Sequence, residues 1–156
     1  MYTKQQASEL RQAFWTAFGQ YMSPVLSADG EKINWINYKT GVRDVFFKMN
    51  ADNKVAVITI ELTHAELEKQ QLFFAHFLHA KKILPEQLNE EWIWQLHTVN
   101  EYGKTISRIY TSLNDVSIFN KEHWPQLISF FKQRIIALDQ FWSTARYGFD
   151  ELKIEN

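Results

Sequence analysis

The spacing of apolar residues changes along this chain, and that change constrains the fold more than any other feature of the sequence. Near the start, Leu10, Phe14 and Phe18 recur at every fourth position, which is typical of one face of a helix. Further on, apolar residues from Val45 to Met49 recur at every second position, which is typical of a strand. Both periods return later in the chain, so we expect helices and strands in a domain of the α+β class.

Five segments have the alternation or the β-branched and aromatic content that favours strands. They are residues 33–38, 44–49, 55–62, 92–99 and 105–110. The third segment is apolar on both faces for most of its length, which predicts a central strand covered on both sides. The last two segments flank a turn at residues 100–103 and form the clearest hairpin of the chain.

Three segments have the helical period, and each begins near a residue that can cap a helix. Thr3 is the cap predicted for the first helix. Thr63 and Glu66 match a capping box, in which each side chain satisfies a free amide of the other, and this box predicts the start of the second helix. The third helix begins either after Asn120 or at Pro125.

Proline and glycine residues predict where the later helices end. Pro85 limits the second helix, a short turn follows around Leu88, and Gly148 ends the third helix. The resulting element order is α-β-β-β-α-β-β-α. We therefore predict a single domain over residues 1–156, with a mainly antiparallel sheet of about five strands and three main helices.

The composition restricts the chemistry open to the chain. Hydrophobic residues make up 46% of its 156 residues, so it can bury a sizeable core. The net charge of −1 provides no basic excess, and nucleic-acid binding would require a local basic patch. The lack of cysteine removes disulfides and thiolate chemistry and fits a reducing compartment. Because no apolar run resembles a signal peptide or a membrane span, we expect a cytoplasmic protein without a membrane partner.

Asp44 and Glu61 are the candidate catalytic and metal-binding pair. If the second and third strands form a hairpin, Asp44 lies opposite Glu61, and two facing carboxylates can hold Mg²⁺ or Mn²⁺. The element order also resembles the core of the PD-(D/E)xK nucleases, which place Asp on one strand and Glu-x-Lys on the next. Thr63 occupies the position of that lysine, and Lys48 is the candidate substitute. The alternative is that both carboxylates are solvated charges at strand ends and that the protein needs no cofactor.

Trp92, Trp94, Arg108 and Arg43 are the candidate ligand-binding residues. The two tryptophans are two positions apart and therefore lie on the same face of their strand. If exposed, they would form a platform for stacking bases or sugars, with Arg108 as a cation–π partner. If buried, they belong to the core, which the wide apolar faces of the helices favour. Arg43 and Arg108 could join nearby lysines in a basic edge beside the turns.

Three longer segments carry a resemblance to a known family. They are INWINYKTGVRDVFFKMNADNKVAVITIEL, EEWIWQLHTVNEYGKTISRIY and NKEHWPQLISFFKQRIIALDQFW. Their marks are a Phe-Phe strand before a turn, a Glu-Trp-x-Trp strand, an Arg-Ile strand after a glycine turn, and a Trp-Pro opening of the last helix. From Ala7 to Phe149 the chain resembles the bacterial domain-of-unknown-function family DUF4268. The resemblance implies a domain that occurs alone or behind a nuclease-like domain, with no catalytic residues to carry over.

Three functional hypotheses follow. The leading one is a non-catalytic binding or assembly module, a companion of restriction or phage-defence nucleases, with nucleic acid or a nuclease as its partner. The first alternative is a metal-dependent or degenerate PD-(D/E)xK-like nuclease that uses Asp44, Glu61 and Lys48. The second alternative is a homo-oligomer whose aromatic stripes bury each other across an interface.

Overall fold

A computed structural model describes residues 2–83 and 90–154. The elements in chain order are α1 (Lys4–Met22), β1 (Val45–Ala51), β2 (Val55–Leu62), α2 (Leu67–His79), β3 (Ile93–Val99), β4 (Thr105–Asn114) and α3 (Trp124–Ile154). Among the described residues, no helix is both long and apolar enough to cross a lipid bilayer. The helix end predicted at Pro85 and the turn predicted around Leu88 lie outside the described residues.

The four strands form one antiparallel sheet in the order β1-β2-β4-β3. The α+β class is therefore confirmed, and the described part of the chain has one strand fewer than expected. The central position of β2 is also confirmed, because β2 pairs along its length with β1 on one side and β4 on the other. Pairing with β2 extends β4 to Asn114, beyond the predicted end at residue 110.

One face of the sheet, here called the inner face, is apolar and carries the helices. Its buried side chains include Val45, Phe47, Ile58, Ile60 and Ile109. The helix α2 contacts β2, β3 and β4, while α3 contacts β1 and β2 and also supports α1. Buried rings of α2 and α3 fill the space between the layers, with the ring centre of Phe149 4.4 Å from that of Phe77 and 5.0 Å from that of Trp142. Such aromatic packing contributes to the apolar burial that stabilises the domain.

The strand predicted over residues 33–38 is wrong, because these residues form part of an irregular segment between α1 and β1. The side chain of Asn34 accepts hydrogen bonds from the backbone amides of Ile36 and Asn37, at 3.1 and 3.2 Å. These two bonds close a local turn that competes with strand pairing. Trp35 is buried, and its ring nitrogen donates to the carbonyl of Val25 at 3.0 Å, so its apolar ring packs without a strand.

One buried carboxylate holds this irregular segment on α3. Asp139 accepts a hydrogen bond from the hydroxyl of Tyr38 at 2.6 Å and another from the amide of Ala28 at 2.7 Å. Nearby, the ring nitrogen of Trp142 donates to the carbonyl of Thr40 at 2.7 Å. Burial, and then the bond to Asp139, raise the pKa of Tyr38 above its usual value, which keeps the hydroxyl protonated as a donor.

The capping box predicted for Thr63 and Glu66 is wrong. Thr63 continues the pairing of the strands: its amide donates to the carbonyl of Asp44 at 3.0 Å, and its hydroxyl donates to the Asp44 carboxylate at 3.2 Å. The helix α2 begins one residue after Glu66, without a side-chain cap. The cap at Thr3 is confirmed, because Thr3 and Gln6 form a reciprocal capping box.

The helix α3 continues past its predicted end. It begins at Trp124 with Pro125 in its first turn, where a missing amide costs little, and Asn120 caps the short 3-10 turn before it. Gly148 lies inside the helix rather than after it. A β-carbon at this position would lie 2.9 Å from Nε2 of His76, so the glycine permits the close approach of α2 and α3.

We predict that the substitution Tyr38→Phe lowers the free energy of unfolding by about 1.5 to 3 kcal/mol, because it removes a hydrogen bond to a charged, buried carboxylate. Urea denaturation followed by circular dichroism measures this difference. Tyr102→Phe is the matched control, because the Tyr102 side chain is 80% exposed, and its effect should stay within about 0.5 kcal/mol. Equal effects of the two substitutions would show that the Asp139 contact does not hold the segment.

Candidate functional site

The face of the sheet opposite the helices, here called the outer face, forms the floor of an open groove of about 1310 Å³. Its walls are the irregular segment at residues 36–38, the β2–α2 connection at residues 63–65 and the β3–β4 turn at residues 99–102. Val57 and Thr59 of β2 lie on the floor. The prediction that β2 is covered on both sides therefore holds only for the inner face, since no described helix covers the outer one.

One polar residue from each strand contributes to a row across the outer face. This polar row consists of Lys48, Glu61, Arg108 and Gln95, in the order of the strands. The register places Glu61 opposite Arg108 and Arg108 opposite Gln95. Lys48 Nζ lies 3.1 Å from the Glu61 carboxylate, although Lys48 is two residue pairs along the ladder from the partner of Glu61, Phe46. The row carries two positive charges and one negative charge.

Two neighbours fix the guanidinium group of Arg108. Its Nε donates a hydrogen bond to Oε1 of Gln95 at 2.6 Å, and its central carbon lies 4.5 Å from the ring centre of Tyr110. Although Glu61 lies directly across the ladder, Glu61 pairs with Lys48, and no described residue forms an ion pair with Arg108. The two terminal nitrogens of Arg108 therefore remain available for a planar, doubly hydrogen-bonded anion.

Asp44 precedes β1 with a positive φ of 65°, a conformation that Asp tolerates better than most residues. The prediction that Asp44 lies opposite Glu61 is wrong. Phe46 pairs with Glu61, and Asp44 lies two positions away, hydrogen-bonded to Thr63. The shift of two residues keeps both carboxylates on the outer face but separates them along the ladder.

The candidate metal ligands already have partners. Asp44 accepts a hydrogen bond from Thr63, and Glu61 forms its ion pair with Lys48. Across residues 2–83 and 90–154, no three His, Cys, Asp or Glu side chains lie close enough together to hold a metal ion. Mg²⁺ or Mn²⁺ could bind between Asp44 and Glu61 only by competing with the ammonium group of Lys48 for the Glu61 oxygens.

Exposed apolar side chains surround the polar row. This apolar rim consists of Ile36, Phe46, Leu67, Val99 and Tyr102. Each of the five side chains belongs to a residue that is between 40% and 80% exposed. Apolar side chains scattered singly are ordinary on a protein surface, but several around one groove are typical of an interaction site.

The groove has a balanced charge. Its acidic side chains are Asp44, Glu61 and Glu101, and its basic side chains are Lys48, Lys104 and Arg108. The predicted basic edge is therefore interrupted by carboxylates. Arg43 lies outside the groove, with its side chain 89% exposed and its Nε 4.0 Å from the Asp44 carboxylate.

The exposed stacking platform considered for Trp92 and Trp94 does not form. Both residues lie on the helix side of the sheet, where Trp92 is buried and Trp94 is half-buried against the core. The ring of Trp94 meets that of Phe74 edge-on, with centres 5.7 Å apart. The interpretation of the two residues as core is thus confirmed. Arg108 lies on the outer face and cannot complete a site with them.

His64 is a buried histidine at the end of β2, only 3% exposed. Its ring lies 4.3 Å from that of Phe73, and neither ring nitrogen has a hydrogen-bond partner among the described residues. Burial lowers the pKa of His64, nearby Asp44 opposes this effect, and Lys69 adds to it. The folded protein therefore contains neutral His64 near neutral pH.

The fold and the groove define a small α+β domain with helices on one side of the sheet and an open outer face. The chain belongs to the family described as "Domain of unknown function (DUF4268)", whose model matches residues 10–146. The family resemblance expected from the sequence is thus confirmed. No curated protein and no solved structure shows a significant similarity to the chain.

Sequence reasoning missed the apolar rim of the groove and the two neighbours that fix Arg108. Gln95, Tyr110 and the apolar rim were not among the candidates, because their proximity depends on the order of the strands. One signal was present in the sequence: β2 is apolar on both faces for most of its length, which drew attention to its outer face.

We predict that the protein loses stability as the pH falls below 6.5. The unfolded chain then binds protons that buried His64 excludes, and stability falls by up to about 1.4 kcal/mol per pH unit. His64→Phe should reduce this dependence of stability on pH. Part of the dependence should remain, because burial also lowers the pKa of His76. Denaturation curves at pH 7.5 and pH 5.5 measure both slopes. An unchanged slope in the variant would contradict the assignment to His64.

Proposed function

We propose that this domain is a non-catalytic binding module and that its groove receives a peptide segment of a partner protein. The observation that carries the proposal is the apolar rim of exposed side chains around the outer face of β2, where Val57 and Thr59 form the floor of the groove with no described element over them. A ligand that covers Val57 and Thr59 would also remove parts of the apolar rim from water. Burial of apolar surface is the main favourable term in protein association.

The charges of the groove favour a peptide over a nucleic acid. Proteins that bind nucleic acids neutralise several phosphates with a basic surface. Here three basic side chains share the groove with three acidic ones, so a continuous phosphate chain would meet repulsion beside Asp44 and Glu101. A peptide with apolar side chains and few charges matches the mixed surface better.

The cellular setting belongs to the same proposal. The family resemblance suggests bacterial proteins in which such domains accompany a nuclease-like domain, and we propose a companion role in restriction or phage defence. The lack of cysteine fits a cytoplasmic location. In this setting the peptide segment would come from the nuclease partner, and the domain itself would need no cofactor.

We predict that a random peptide library displayed on phage yields peptides that bind this domain through its groove. Leu67→Gln should weaken their binding about tenfold or more, because Leu67 belongs to the apolar rim and fully burying a leucine contributes about 1.5 to 3 kcal/mol. Fluorescence polarisation with the synthetic peptides measures the loss.

Leu72→Gln is the control for this experiment. Leu72 lies on the same helix with a similar exposure, 40% against 47% for Leu67, but it does not line the groove. Its substitution should leave peptide binding unchanged. Failure to select any peptide, or equal losses in the two variants, would contradict the binding module. A domain that dimerises through the groove, detected by light scattering and abolished by Leu67→Gln, would favour the homo-oligomer instead.

A metal-dependent nuclease is the alternative, because Asp44, Lys48 and Glu61 all line the same groove. Our proposal predicts no cleavage of DNA or RNA with Mg²⁺ or Mn²⁺, since Lys48 occupies Glu61 and Thr63 stands where the nucleases have lysine. Incubation of purified protein with labelled duplex DNA and with RNA tests this expectation. Cleavage that depends on Mn²⁺ and disappears in Asp44→Ala would establish the nuclease.

A further inference from the structure

We infer that Arg108 recognises a carboxylate of the peptide ligand and thereby selects acidic peptides for this groove. The inference rests on the proposed function, and it adds the chemistry of the ligand and the residue that reads it. Three observations support it: the fixed position of the guanidinium, the charge of the polar row, and the apolar surroundings.

The position of Arg108 is set before a ligand binds. Gln95 holds Nε, and the face of the guanidinium lies against the ring of Tyr110. These contacts involve Nε and the central carbon of the guanidinium and leave its two terminal nitrogens free of them. A carboxylate can accept two parallel hydrogen bonds from the remaining nitrogens, and the arginine loses little freedom on forming them.

The charge of the polar row favours one added anion. Glu61 neutralises Lys48 at 3.1 Å, while Arg108 has no ion-pair partner among the described residues. A single carboxylate beside Arg108 would complete an alternating row of two cations and two anions. A polyanion would bring further negative charges close to Asp44 and Glu101, which also line the groove.

The surroundings of Arg108 favour a carboxylate that belongs to a peptide. The row is bordered by the apolar rim, so a small free anion would leave that surface exposed. A segment that alternates an acidic side chain with apolar ones would occupy both kinds of surface. The carboxylate could be an Asp or Glu side chain or the C-terminus of the partner, and the experiment separates these two sources.

The experiment uses the peptides selected from the phage library, resynthesised with three changes made one at a time. Each Asp or Glu is replaced by its amide, the C-terminus is free or amidated, and one acidic residue is replaced by phosphoserine. We expect the selected peptides to be enriched in Asp and Glu. Removing the decisive carboxylate should weaken binding about tenfold or more, since hydrogen bonds to charged groups are stronger than neutral ones.

Arg108→Gln should weaken the acidic peptide by a similar factor and should weaken the amide version much less, because the amide oxygen accepts only neutral-acceptor hydrogen bonds from Arg108 and the pair of opposite charges is already lost there. Arg43→Gln is the matched control: it removes an exposed arginine that does not line the groove, and it should change neither affinity. If Arg108→Gln does not fold, Arg108→Lys replaces it, because lysine keeps the positive charge but lacks the planar guanidinium that donates two parallel hydrogen bonds. The comparison of acid and amide peptides on the unaltered protein also tests whether the groove prefers a carboxylate.

Different failures have different meanings. If no peptide binds through the groove, the proposed function itself fails. If groove-binding peptides show no acidic preference, or if Arg108→Gln weakens the acid and amide versions equally, the binding module stands and the role of Arg108 is refuted. A clear preference for the phosphoserine peptide, or tighter binding to single-stranded DNA than to any peptide, would also refute the assignment of a carboxylate ligand.

Discussion

The placement of α2 and α3 on one face of the four-stranded sheet is the constraint on which the rest of the structure depends. An antiparallel sheet can leave one face to solvent, provided that the other face is covered by an apolar layer. Here the aromatic side chains of α2 and α3 provide that layer, with Trp142, Phe149 and Phe77 in mutual contact. With the core complete on the inner face, the outer face is free to carry charged side chains and to meet another molecule.

Buried polar contacts connect this core to the groove. The irregular segment before β1 forms one wall of the groove through Ile36 and Tyr38, and it lacks the ladder that would fix a strand. Asp139 and Trp142 of α3 hold it instead, by hydrogen bonds to Tyr38 and to the carbonyl of Thr40. A buried carboxylate is costly unless its hydrogen bonds are made, so its presence indicates that the position of this wall is closely specified.

The sequence predicted those features that depend on local patterns. The hairpin of β3 and β4 follows from alternation around a turn in which Asn100 accepts the amides of Tyr102 and Lys104, and the cap at Thr3 follows from its neighbours. Features that depend on distant partners were not predictable. The capping box failed because the hydroxyl of Thr63 binds Asp44, 19 positions away along the chain. A local hydrogen-bonding motif does not form when a residue distant in the sequence binds the same side-chain group.

The candidate functional site was also only partly predictable, because it depends on contacts between residues that are distant in the sequence. Arg108, Glu61 and Lys48 were all recognised as candidates, but they were divided between a ligand site and a nuclease site. The strand order β1-β2-β4-β3 unites them, because β4 pairs with β2 and not only with β3. Periodicity reports which face a residue occupies, but it contains no information about which strand lies beside it.

The proximity of these residues also bears on our choice between a binding module and a nuclease. A carboxylate that serves a divalent cation must direct its oxygens to that ion, with other oxygen ligands around it. Glu61 instead lies beside the ammonium group of Lys48 and across the ladder from the guanidinium of Arg108. Two fixed positive charges on either side oppose a third cation by Coulomb repulsion, and they favour an anion in the place next to Arg108. The electrostatics of the outer face and its apolar rim therefore both support our proposal that the groove serves recognition.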